Sequence, residues 1–169
     1  MTSPLYSASI PVLQQMLGAL SDVLAKAEAH ATDKKIEPAA LLQARLFPDM
    51  FPLVRQVQIA ADFAKGIGSR LAGAPVPSWP DTETSFADLQ ALIAKAKDHL
   101  ASFTPEQFAA SESLEIVLRP GTPKEKKLSA NAYLLHYGLP QFFFHVTTAY
   151  AILRHNGVEV GKRDYMGAY

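Results

Sequence analysis

Apolar side chains recur at intervals of three and four over four long stretches of this chain. Ile10, Leu13, Leu17, Leu20 and Leu24 form the first stripe, widened by Val12, Met16 and Val23. That spacing places side chains on one face of an α-helix. It predicts a helix over 11–31, opened by Ser9 and Pro11 and ended by the polar run Thr32–Glu37. After a short helix or turn from Pro38, interrupted by Pro48, a second long helix is expected over 49–72. Val54, Val57, Ala61, Ala64, Gly68 and Leu71 are its stripe, and the small residues permit close approach of a neighbour. Ala74–Thr84 carries three prolines and no period, so it reads as a linker, with Trp79 covering an end of the core. Ser85 and Asp88 form a capping box for a third helix bearing Phe86, Leu89, Ile93, Ala96 and Leu100.

The period then changes. Thr104-Pro105-Glu106-Gln107 opens one or two helical turns, after which Leu114, Ile116 and Leu118 alternate with Glu115, Val117 and Arg119. Pro120-Gly121 suits the centre of a type II turn, and Lys124–Leu128 returns as the second strand of a small hairpin. A two-stranded hairpin is marginal alone, so it must lie on the helices. The fourth helix starts near Ser129, with Leu139, Phe142, Val146, Ala149 and Leu153 as its stripe. Pro140 falls inside that span, either kinking the helix or marking its true first turn after Gly138. Asn156-Gly157 is a C-cap, and the tail 158–169 docks through Tyr165 and Met166. The pattern predicts an all-α four-helix bundle with a small β-hairpin before the last helix, one domain over 1–169, with the helix order left open.

Composition narrows the function. Lys+Arg and Asp+Glu balance at 16 each, with no basic stripe, which argues against nucleic acid. With no cysteine there is no disulfide, thiolate metal site or cysteine nucleophile. No leader pattern and no membrane-spanning run is visible, so a cytoplasmic protein is expected.

Chemistry is sparse. His145 sits at the shoulder of the last stripe, in line with Gln141, Thr148 and Ile152, where a half-buried imidazole can bind a metal or move a proton. A core-edge histidine held by one neighbour explains it as well. Asp49 and Gln56 interrupt an apolar row formed with Leu53, Ala60 and Phe63, and a buried amide needs a partner. Asp49, Gln56, Gln141 and His145 therefore form a candidate pocket; the alternative is a structural hydrogen-bond network. His30 and His99 lie in late helical turns, where the helix dipole favours a cation. His136 is off register with His145, and His155 is expected to be exposed beside Arg154. Arg154, His155, Lys162, Arg163 and Asp164 read as a solvated charged end. No HExxH, phosphate loop or GxSxG occurs.

The runs LPQFFFHVTTAYAILRHNGVEVGKRDYMG and PDMFPLVRQVQIAADFAKGIGSRLAG resemble an uncharacterised bacterial and fungal family within the DinB/YfiT-like metalloenzyme superfamily. The resemblance covers nearly the whole chain. It implies a four-helix bundle with an insertion before the last helix, often a homodimer. Metal-binding members carry one histidine on the second helix and two, four residues apart, on the last. By that resemblance His145 matches the final histidine, Gln141 stands where its partner would be, and Gln56 replaces the second-helix histidine. Amide oxygens are poor ligands for zinc or nickel, so if a divalent metal binds, His145 is its one remaining classical ligand. The expectation is a small-molecule-binding protein without a tightly held transition metal. A divergent metal-dependent transferase or hydrolase, completed by Asp49 or His136, and a non-catalytic dimerisation protein are the alternatives.

Overall fold

The computed structural model describes residues 3–169. A single turn, α1 (Pro4–Ser7), leads into α2 (Ile10–Lys34), whose first turn contains Pro11. This helix outruns its predicted end by three residues and stops where Lys35 adopts a left-handed conformation (φ 54°). After α3 (Pro38–Leu42) the chain runs as a loop to α4 (Leu53–Leu71). Helix α4 thus starts four residues later than its period suggested. Pro52 is the reason: it sits extended at the N-cap (φ −71°, ψ 168°) and disfavours helical backbone at Phe51 before it.

Helix α5 (Phe86–Ala101) opens on the predicted capping box. Ser85 Oγ accepts from the Asp88 N–H at 3.1 Å, and the Asp88 carboxylate accepts from the Ser85 N–H at 3.0 Å. The Pro105–Phe108 turn is a 3₁₀ helix, followed by strands β1 (Glu115–Leu118) and β2 (Lys126–Ser129), which pair antiparallel with Leu118 opposite Lys126. At their connection Thr122 N–H donates to Arg119 O at 3.3 Å and Gly121 takes the positive φ (72°) that the expected turn requires.

The last helical stretch is continuous but not uniform. It runs from α6 (Ala130–Tyr133, capped by Ser129) through a π-helical turn (Leu134–Gly138) into α7 (Leu139–His155). In the wide turn the Leu139 N–H reaches Leu134 O, five residues back. Pro140 has no N–H to donate, and the π turn places it in the first turn of α7, where none is needed. Gly138 is required here by contact: a Cβ would lie 2.9 Å from Ile67 Cγ1 on α4.

The four long helices close a ring in which α2 packs on α5 and α7, and α4 packs on the same two, leaving α2 and α4 diagonal. The predicted stripes are the core: Leu13, Leu17, Leu20, Leu24, Val57, Ala61, Ala64, Leu71, Leu89, Ile93, Phe142, Val146 and Leu153 are all buried. Burial of each Val, Leu, Ile or Phe among them stabilises the fold by about 1.5–3 kcal/mol. Gly68 lies against Leu100 and Phe103 at the end of α5, the close approach its size allows. The tail folds as α8 (Lys162–Met166) onto α2. Gln15 Nε2 donates to Met166 O at 2.8 Å, Lys26 pairs with Asp164 at 2.6 Å, and Tyr165 packs on Tyr150. Among the described residues no helix is long and apolar enough to cross a membrane.

Candidate functional site

Gln56 lies in the first turn of α4 and His145 in the middle of α7, and the seam between these helices brings their side chains together. His145 Nδ1 is 2.7 Å from Gln56 Oε1, and both residues are buried. Gln56 Nε2 donates to Phe51 O at 3.0 Å. This second bond fixes the roles: a flipped amide would set oxygen against a carbonyl oxygen, so Oε1 faces the imidazole and His145 Nδ1 carries the proton. The Nε2 lone pair is then the free one. It takes no hydrogen bond among the described residues, yet none of their buried side-chain N or O atoms lacks a partner, so Nε2 reaches the protein surface. Burial, and then the nearby Arg55 guanidinium, lower the pKa of His145 below the ordinary imidazole value. The ring is therefore a neutral acceptor at neutral pH, oriented by an amide.

Aromatic side chains frame it. Phe63 stacks on the His145 ring at 6.0 Å and 15°, and Phe144 meets it edge-on at 5.2 Å. The other side of Phe63 contacts Tyr137, which stacks in turn on Tyr133. Tyr133 OH accepts from Arg70 at 3.3 Å. Sequence reasoning did not assign Phe63, Tyr137 or Phe51 to the site. A usable signal existed: Tyr137, Gln141 and His145 follow one another at steps of four, one line on a helix.

The other two candidate residues lie apart from the pair. Asp49 was expected on the helix beside Gln56. It sits instead in the exposed loop before Pro52 and makes none of the side-chain hydrogen bonds or ion pairs of the described residues. Gln141, one turn before His145, is half-buried and lines a cleft of about 580 Å3 between the hairpin and the last helix, together with Tyr137, Leu118, Arg119 and Lys126. His136 and His155 are exposed.

His99 also departs from its expected role. Its Nε2 is 2.8 Å from Ser69 Oγ, and burial followed by the charge of Lys65 lowers its pKa, so it is not a cation held by the helix dipole. Close by, Trp79 has two ammonium groups over its ring, Lys65 at 4.4 Å and Lys95 at 4.6 Å from its centre. Buried Lys65 pairs with Asp62 at 2.6 Å. Arg55 binds Asp81, and Gln58 donates to Glu83 at 2.8 Å, so the 74–84 segment is fastened along α4. Of the charged end, Asp164 is engaged by Lys26, while Arg154, His155, Lys162 and Arg163 are exposed.

The donor set does not fit a tightly held transition metal. Among the described residues no three His, Cys, Asp or Glu side chains converge. Gln56 Oε1 is occupied by the His145 Nδ1–H, which leaves a single imidazole nitrogen where zinc or nickel would need several ligands.

Comparison with solved structures finds a DinB family member protein from Shewanella denitrificans. It is 41% identical, with a TM-score of 0.92 and coverage of 98% of this chain and 93% of that one. Comparison with curated proteins finds no match. Residues 5–166 match a family described as a domain of unknown function, DUF1993. A bundle of this form and a family match over nearly its whole length place the chain in the DUF1993 family, with a DinB-like fold.

Proposed function

We propose that the protein binds a small molecule at the seam between α4 and α7, with His145 Nε2 as the acceptor that fixes it and without a tightly held transition metal. The observation that carries this reading is the orientation of His145. Gln56 spends its only carbonyl oxygen on Nδ1–H, a bond that leaves Nε2 unpaired at the surface. Phe63 supplies a flat apolar wall beside the ring, and Gln141 an amide one turn away on the same helix. A neutral, oriented imidazole can accept a hydrogen bond from a ligand N–H or O–H, or remove its proton.

The test is metal analysis of protein purified without a histidine tag, followed by a thermal-shift screen of small molecules. The expected result is substoichiometric metal, with screened ligands that lose their effect in His145→Phe. Stoichiometric zinc or nickel that disappears in His145→Ala overturns the reading.

A further inference from the structure

The hairpin carries a charge arrangement that its own folding does not require. Val117 pairs with Lys127 on the outer face, where Lys127 reaches the Glu115 carboxylate at 3.5 Å. On the inner face Ile116 and Leu118 are buried, and directly opposite Leu118 stands Lys126. Directly paired residues share a face of the ladder, so Lys126, exposed at the end of β2, projects on the same side as Leu118. Lys126 has no carboxylate partner among the described residues, and neither do Arg119 and Lys124. All three line the cleft of about 580 Å3 whose floor is Tyr137 and Gln141. The one acid there, Glu125, accepts from the Gly121 N–H at 2.7 Å and keeps its charge, so three cations face a single carboxylate held toward the turn backbone.

Arg119 adds a second observation. Its φ is 51°, a left-handed conformation that disfavours side chains and suits glycine. The turn thus carries a cation where backbone geometry asks for no side chain at all. Volume, unpaired positive charge and a tyrosine–amide floor describe a seat for a mid-sized anion with a flat body.

We propose that this cleft holds an organic anion, a carboxylate or phosphate monoester, whose charge is met by Arg119, Lys124 and Lys126 and whose body lies on Tyr137 and Gln141. The proposal rests on the His145 pocket only for the uncharged end of the ligand, which Phe63 connects to Tyr137.

The experiment is a two-dimensional amide NMR titration of the full chain with phenyl phosphate and, separately, with neutral benzyl alcohol. Phenyl phosphate is expected to shift the Leu118, Tyr137 and Gln141 amides, more weakly as salt is added. Its Kd is expected to rise roughly tenfold in Lys126→Gln and in Arg119→Gly, the loss of one charge-assisted contact. Arg119→Gly keeps the turn, because glycine prefers that backbone, so a lost response there is not a lost fold. Unchanged affinity in both variants, or equal response to benzyl alcohol, overturns the proposal. Shifts confined to Phe63 and His145 sink the anion seat and spare the pocket. Cleft shifts that persist in His145→Phe, with Phe63 unmoved, support the anion seat and remove the pocket from it.

Discussion

Gln56 and His145 are 89 positions apart in the chain and 2.7 Å apart across the α4–α7 seam. Each satisfies a polar atom that the other's burial would leave without a partner. Gln56→Leu strands the His145 Nδ1–H and is expected to destabilise the fold by about 1–3 kcal/mol. His145→Leu strands Gln56 Oε1 in the same way. The double variant leaves neither group behind, so its loss should fall short of the sum of the singles, a non-additivity measurable by urea denaturation. Additive losses would mean that the two side chains do not depend on each other.

The same burial gives a pH dependence of defined sign. The folded pKa of His145 is lowered, and so is that of His99, each chiefly by desolvation. An unfolded histidine titrates near about 6.5. As pH falls through that value the unfolded state takes up protons that the folded state refuses, so stability present above it is lost. The loss continues until pH passes below the folded pKa values, where it levels off. Urea midpoints measured between neutral and mildly acidic pH should decline, and His145→Gln should flatten part of that decline. A midpoint that rises on acidification would contradict the assignment.

Gly138 faces Ile67 so closely that any side chain must displace it. Gly138→Ala is expected to cost about 1–3 kcal/mol by overpacking. Combined with Ile67→Ala the two costs should not add, because the second change makes room for the first. Thermal unfolding of the four proteins of this cycle measures it.

Trp79 is the peg that holds the 74–84 segment against α4 and α5. Its ring holds two lysine ammonium groups over it and meets His99 edge-on. Trp79→Ala is expected to destabilise by about 2 kcal/mol through lost packing and cation–π attraction. It should also speed proteolysis within 74–84, whose polar side-chain ties to α4 are Arg55–Asp81 and Gln58–Glu83. Unchanged cleavage there would show that the polar ties suffice.

The bundle was legible because burial imposes a period: the stripes read from the sequence are the residues that pack. The Ser85–Asp88 cap, the Pro120-Gly121 turn and the Asn156-Gly157 stop were legible because each is local chemistry. Asp49 was misplaced because its three-four spacing with Leu53 and Gln56 ignored Pro52, which forbids the helix it would need. His99 was misread because its partner Ser69 lies 30 positions away, on another helix. Helix order was unreadable for the same reason, since it depends on which stripes meet. The hairpin cations were missed because Lys124 and Lys126 are exposed, as hairpin lysines usually are, and only the strand register puts Lys126 on the side of the sheet that carries Leu118.

The π turn at Leu134–Gly138 has a consequence for heredity as well as shape. An α-helix rotates by about 100° per residue, since a turn takes 3.6. The wide turn, bonded five residues back instead of four, therefore absorbs one extra residue with little change of azimuth between the helix before it and the helix after it. Deleting one residue there should restore a plain α turn, with the helix on both sides still in phase and the hairpin still beside Gln141. A lineage could thus gain or lose the wide turn by a single codon, while the cleft, His145 and Gln56 stayed where they are.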